Sequence, residues 1–271
     1  MTILLHSSKT MRLTSPETVT LSQPQLLEKA EILGVYLKTL SPKQLEKSMQ
    51  LSAGMANKTH ALLAAWTSER KKQSIAIDSF IGDIYSGLHA SDLSKSDRDY
   101  ANKTLIILSG LYGCIRPYDG IYPYRLEMAY RFPDPQFSNL YTFWGNAIAA
   151  CLPQHGLVIN VSSAEYSRAV LPFIDSSRVI EPKFLTMNPQ TGKPTFVVVH
   201  AKIARGAFAR WLLTSRIKES DAFPEFEELG YHYDKKLSTP NTPTFVCREF
   251  GGKGLSIRLM DTKQIDKNTS L

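Results

Sequence analysis

The sequence predicts a mixed α/β (α+β) fold, built as a single domain over residues 1–250 with a central mixed sheet flanked by helices. Three observations lead there. Short apolar runs such as Gly156-Leu157-Val158-Ile159-Asn160-Val161 end in polar turns, as buried strands do. Longer segments between them carry a 3.6-residue apolar period with cap signals. No internal repeat or shift of composition divides the chain, and its 271 residues can bury roughly three quarters of their unfolded surface.

Taken in order, Ile3 to Leu5 predicts a buried strand that ends in His6-Ser7-Ser8-Lys9-Thr10, a hydroxyl-rich turn with one cation and none of the glycines of a P-loop. Residues 24 to 40 are helical in Leu26, Leu27, Ala30, Leu33, Tyr36, Leu37 and Leu40. Ser41-Pro42-Lys43-Gln44 opens a second helix through a capping box. A third helix covers 51 to 66, and Ser68 to Gln73 is a solvated basic loop. Ile75 to Leu88 mixes strand and glycine-broken helix. Ser96-Asp97-Arg98-Asp99 starts a helix with acids in its first turn, where the dipole favours them.

That helix leads into Thr104 to Met128, the most unusual stretch. Four apolar residues, Leu105 to Leu108, are followed by Ser109, Gly110, Tyr112 and Gly113, then by Arg116, Pro117, Tyr118, Tyr122, Tyr124 and Arg125. Glycines that admit close approach, rigid aromatics and guanidinium groups suit a surface that grips phosphates and bases. A buried joint whose tyrosines hydrogen-bond through their hydroxyls accounts for the same residues equally well.

Beyond it, Leu140 to Cys151 predicts an apolar helix, and Ser162-Ser163-Ala164-Glu165 a capping box opening a helix over 166–170. Val179 to Phe184 and Thr195 to His200 predict strands joined by hairpin chemistry at 188–193. A helix over 201–217, a connection over 238–243, a strand over 244–249 and a loosely ordered tail over 251–271 complete the reading.

Three of these strands run into polar turns, at His6–Thr10, Ser162–Glu165 and His200–Arg205. If parallel, they would gather Lys9, Ser163, Glu165, Lys202 and Arg205 at one sheet edge, where α/β proteins place ligands. On a helical wheel Lys202, Arg205 and Arg216 form a cationic stripe, and no acid occurs from Thr195 through Lys218. An anion in a basic cleft explains the stripe, as does an ion-pair network with Glu165, Glu127 or Asp83.

Thirty-two Lys and Arg against 25 Asp and Glu leave +7, which favours polyanions. Three scattered cysteines, no basic-apolar leader and no long apolar run are the expected marks of a cytoplasmic protein without membrane attachment. The six histidines show no H-E-x-x-H spacing and the cysteines no C-x-x-C, so neither metal nor cofactor is expected.

Ser8-Lys9-Thr10, Phe80 to Leu88, Leu108 to Gly113 with Arg116-Pro117, Pro123 to Met128, Phe143-Trp144-Gly145, Asn160 with Ser163 and Glu165-Tyr166, and Ala201-Lys202 with Ala204-Arg205-Gly206 together resemble the YaaA family of bacterial peroxide stress proteins. The resemblance runs to about Phe250. It implies a cantaloupe-type fold with a positively charged cleft, a helix-hairpin-helix element placed at Ser109–Gly113, DNA binding, and a role in limiting iron-driven oxidative damage. The site then reads as Lys9, Ser109, Gly110, Tyr112, Gly113, Arg116, Tyr124, Arg125, Ser163, Lys202, Arg205 and Arg210 against duplex or distorted DNA, bound by a monomer without sequence preference. The rival reading is an enzyme acting on a phosphorylated or carboxylated small molecule, with Lys9, Lys202 and Arg205 holding the anion and Glu165 as acid or base. A third reading, iron sequestration, finds no ligand set.

Overall fold

The computed structural model describes residues 1–14, 19–71 and 73–255. Lys72 of the basic loop and the tail from 256 onward lie outside the described residues. Helices and several sheets alternate along the chain, and the α/β class read from the sequence is the class observed. The chain divides into two compact units, one of Thr2–Ile81 with Arg98–Val179, the other of Met1, Gly82–Asp97 and Ile180–Leu271.

The first unit is organised on Thr2–His6. This strand pairs in parallel with Leu105–Ser109, Ile3 opposite Leu105, and with Val158–Asn160, Thr2 opposite Val158. Gly113–Ile115 adds an antiparallel edge, and Val179–Ile180 closes the order where the chain leaves the unit. Strands covered on both faces must be apolar throughout, and Ile3, Leu4, Leu5, Leu105 and Ile107 are fully buried. Helices Leu27–Thr39, Pro42–Met49 and Ala53–Ala65 follow the periodicity. The capping box at Ser41 forms in both directions, with the Ser41 N–H donating to Gln44 Oε1 at 2.9 Å.

Three expectations are corrected in this unit. Ser109–Gly113 does not join two helices, because Leu105–Ser109 and Gly113–Ile115 pair as a β-hairpin with Ser109 opposite Gly113. The apolar helix over 140–151 breaks into Leu140–Trp144 and Ala147–Ala150 at Gly145, which adopts φ +52°. Ser163 precedes the helix Ala164–Ser167, yet its side chain caps nothing. The Glu165 side chain is turned elsewhere.

In the second unit a four-stranded sheet runs Pro194–Thr195, Lys183–Met187, Thr244–Cys247, Tyr231–Tyr233, with a parallel central pair between antiparallel neighbours. Phe184 and Phe245 stack at 5.3 Å and Phe208 closes on both. The strand expected over 195–200 is strand only at Thr195, since Val198–Thr214 is a helix. A four-residue apolar run, Phe196 to Val199, fits either state, and packing overrides the β preference of Val198 and Val199. That packing is close: a Cβ on Gly206 would lie 1.9 Å from the Ile84 carbonyl oxygen, and one on Gly87 1.9 Å from that of Ile203. Glycine at both positions lets the helices Asp83–Leu88 and Val198–Thr214 touch backbone to backbone.

Candidate functional site

Two of the three strand-to-turn junctions do converge, because their strands are parallel neighbours in the first unit. The Ser163 N–H donates to His6 Nδ1 at 3.1 Å, and Ser7 Oγ donates to the Tyr166 hydroxyl at 3.4 Å. His6 stacks on Tyr166 at 5.2 Å. Beyond His6 the chain is pinned by the Ser8 hydroxyl on the Ile81 carbonyl and by pairing of Thr10–Met11 with Phe80–Ile81. Lys9 stands between these two anchors.

Opposite it runs an extended segment whose side chains alternate. Tyr124, Leu126 and Met128 are buried, whereas Arg125 and Glu127 are part-exposed. Tyr124 fixes the segment inward, its hydroxyl 2.6 Å from Ser109 Oγ and its N–H donating to Met11 Sδ at 3.5 Å. Gly110 admits the segment, since a Cβ there would lie 2.7 Å from the Leu126 carbonyl oxygen. The odd-numbered side chains are thereby turned into a cavity of about 800 Å³ lined by Lys9, Lys47, Arg125, Glu127, Tyr130, Arg131 and Glu165 among others.

Inside it Lys9 Nζ is 2.8 Å from Glu127 Oε2. Glu165 Oε1 accepts the Ala129 N–H at 3.0 Å. Burial raises the Glu165 carboxyl above its ordinary value and Glu127 adds to the rise, against the opposing pull of the Ala129 amide and Lys9. Burial also raises the Tyr130 phenol, whose hydroxyl is bonded to Glu127 beside Arg125. Arg125 reaches the Lys9 carbonyl at 3.5 Å, while its buried Nε has no hydrogen-bond partner. The Tyr141 hydroxyl donates to the Glu165 carbonyl at 2.9 Å. Four cations and two carboxyls, one inclined to keep its proton, make a cavity suited to an anion and equipped to give or take a proton.

The other expected residues have different settings. Ser109 is fully buried and its Oγ accepts the N–H groups of Leu111 and Tyr112 at 3.2 and 3.0 Å. Tyr112 is 1% exposed, and its oxygen accepts from Trp66 Nε1 at 2.7 Å and the Tyr122 N–H at 3.1 Å. Gly113, at φ +68°, packs on Trp144. Tyr112, Tyr124 and the Ser109–Gly113 turn therefore hold the fold and present no stacking surface. Arg116 is matched to fully buried Asp119 at 3.2 Å.

Lys202, Arg205 and Arg210 belong to the second unit. With the helix starting at Val198, Lys202 and Arg205 lie beyond its first turn. Arg205 has burial acting against its charge and Glu181 acting for it. Arg210 Nη1 donates to the His89 carbonyl at 2.9 Å, capping the helix Asp83–Leu88. Arg216 lies past the helix end, at φ 55°, and pairs with Asp97 at 2.7 Å, so the expected stripe loses its last member. Sequence reasoning missed Tyr130, Arg131 and Lys47, and saw Glu127 only as an ion-pair partner. The alternation Tyr124-Arg125-Leu126-Glu127-Met128 was the available signal.

Among the described residues no group of three or more His, Cys, Asp or Glu is placed to hold a metal ion, and no helix is long and apolar enough to cross a membrane. Comparison with known proteins gives a match of residues 1–237 to the family model described as peroxide stress protein YaaA. A UPF0246 protein of Salinispora tropica is 56% identical over 261 residues, covering 96% of this chain and 99% of its own. UPF0246 proteins of a Marinomonas species and of Burkholderia mallei are 38% and 36% identical, over 92% and 93% of this chain and 98% and 100% of theirs.

Proposed function

Because the chain belongs to the YaaA family of peroxide stress proteins, we propose that its activity in that response is chemical: the cavity of the first unit takes a phosphorylated or carboxylated small molecule on which Glu165 moves a proton. The observation that carries this is the convergence of Lys9, Arg125, Glu127, Tyr130 and Glu165 on one cavity, with Glu165 held toward its protonated form. An acid and base near its own ordinary pKa would be fully ionised at neutral pH, and one shifted upward can work in both directions. Lys9 and Arg125 hold the anion, and Glu127 orients Lys9. The test is a turnover screen of phosphorylated and carboxylated compounds with the wild type and Glu165→Gln. Turnover by the wild type that the variant loses supports the assignment. Turnover unchanged in the variant removes Glu165 from the chemistry.

A second reading, attachment to DNA without sequence preference as a means of limiting iron-driven damage, is favoured by the net charge of +7 and by the exposed Lys9, Lys47 and Arg131 at the cavity. It retains the cantaloupe-type fold implied by the family resemblance, with cations in place of a hairpin. Its mark is a log-affinity falling with log salt at about 0.9 per phosphate neutralised, a slope that Lys202→Ala with Arg205→Ala flattens if that helix takes part.

A further inference from the structure

Cys114 and Cys151 are distant in sequence and form no C-x-x-C motif, yet the fold brings them together. Cys114 lies on the edge strand Gly113–Ile115 and is 1% exposed. Cys151 follows the short helix Ala147–Ala150 and is part-exposed. The strand Gly113–Ile115 and the helix Ala147–Ala150 pack together, and each thiol alters the other's affinity for its proton. Each also has a polar tether, Cys114 Sγ on Gln25 Oε1 at 3.7 Å and Cys151 Sγ on the Ala147 carbonyl at 3.4 Å. Both are free thiols, and the charged groups beside them are Arg116 and Asp119.

We propose that Cys114 and Cys151 are a peroxide-oxidisable dithiol that closes to a disulfide, with Cys151 as the attacking sulfur and Cys114 as the resolving one. The assignment of roles follows from their surroundings. Cys151 is the sulfur that solvent reaches, and the neighbouring Cys114, aided by the Arg116 charge, holds its thiol below the ordinary value against the opposing effect of burial. The neighbouring Cys151, together with burial, pushes Cys114 up, so it stays protonated until it is needed. Neither sulfur touches the anion cavity described above.

The chemistry balances with hydrogen peroxide as oxidant. The Cys151 thiolate attacks one peroxide oxygen, the S–O bond forms as the O–O bond breaks, and the departing hydroxide takes up a proton to leave as water. Cys114 sulfur then attacks the Cys151 sulfenic acid. The S–S bond forms, the S–O bond breaks, and the second hydroxide leaves as water with the Cys114 proton. Two thiols are oxidised and one peroxide is reduced to two waters. A dithiol reductant returns the pair to its starting state.

The experiment treats the full chain with equimolar hydrogen peroxide, blocks remaining thiols with iodoacetamide, and maps the products by mass spectrometry. The expected result is loss of two hydrogen masses and two titratable thiols per chain, with one Cys114–Cys151 cross-linked peptide that dithiothreitol abolishes. Cys247→Ser should behave as wild type, because Cys247 is fully buried against Thr186 Oγ1 in the other unit. Cys151→Ser should lose the cross-link. Cys114→Ser should stop at a Cys151 sulfenic acid that dimedone captures. If Cys114→Ser does not fold, the wild-type peptide map alone decides. Cys151 oxidised while Cys114 remains alkylatable, a cross-link through Cys247, or more than one thiol surviving the treatment would each overturn the proposal.

Discussion

Lys9 Nζ and Glu127 Oε2 lie 2.8 Å apart although they are 118 positions apart in the chain, the first on a turn between two anchored strands and the second on an extended segment clamped by buried Tyr124 and Met128. Glu127 is mostly shielded while Lys9 is half-exposed, so the cation is held in place with its remaining donors free to meet a ligand. With its cation half in solvent the pair adds little stability, and its value lies in placement.

Lys9→Ala should therefore leave unfolding almost unchanged and weaken an anionic ligand. Loss of one charged hydrogen bond corresponds to about tenfold or more in affinity. A denaturant melt of the variant beside the wild type measures the first effect, and calorimetric titration of the ligand the second.

Glu165 makes stability depend on pH in a defined direction. Its pKa is raised in the folded state, so the folded chain binds this proton more tightly than the unfolded chain does. The contribution favours folding at low pH and disappears as pH rises from the ordinary carboxyl value of 4.5 through the raised one. Gln at 165 keeps an oxygen for the Ala129 N–H and has no charge to bury. Denaturant unfolding across this range should show Glu165→Gln gaining on the wild type as pH rises. A constant difference would place the carboxyl in ordinary solvent.

Tyr112→Phe separates a structural tyrosine from a stacking one. Removing its oxygen strands the Trp66 and Tyr122 N–H donors, a loss of about 2–3 kcal/mol. Chemical denaturation should register that loss, and ligand or DNA affinity of the folded variant should match the wild type.

Gly206→Ala tests the helix contact of the second unit. With 1.9 Å between the added Cβ and the Ile84 carbonyl oxygen, the two helices must part, at a cost of roughly 3 kcal/mol. A thermal melt within error of the wild type would contradict the contact.

The strands Thr2–His6 and Val158–Asn160 and the Ser41 capping box were legible because each is a local pattern with a single structural outcome. Thr195–His200 was not, since its identical apolar run serves a helix once Gly87 and Gly206 meet. At the site, Lys9 and Glu165 were readable from parallel strands ending together. The hairpin at Ser109–Gly113 was misjudged because glycines that admit a ligand and glycines that admit the Leu126 backbone look alike in sequence. Glu127 and Tyr130 needed the period-two burial of 124–128, a pattern too short to stand out beside the prolines around it.

The amide of Ala129, which donates to Glu165, is a reporter inside the cavity. Titration of inorganic phosphate into the 15N-labelled chain, followed by amide shifts, tests the anion site most directly. The account predicts saturable shifts at Lys9, Arg125, Ala129 and Glu165 that vanish in Lys9→Ala with Arg125→Ala. Shifts scattered over the surface, or persisting in that double variant, would contradict it.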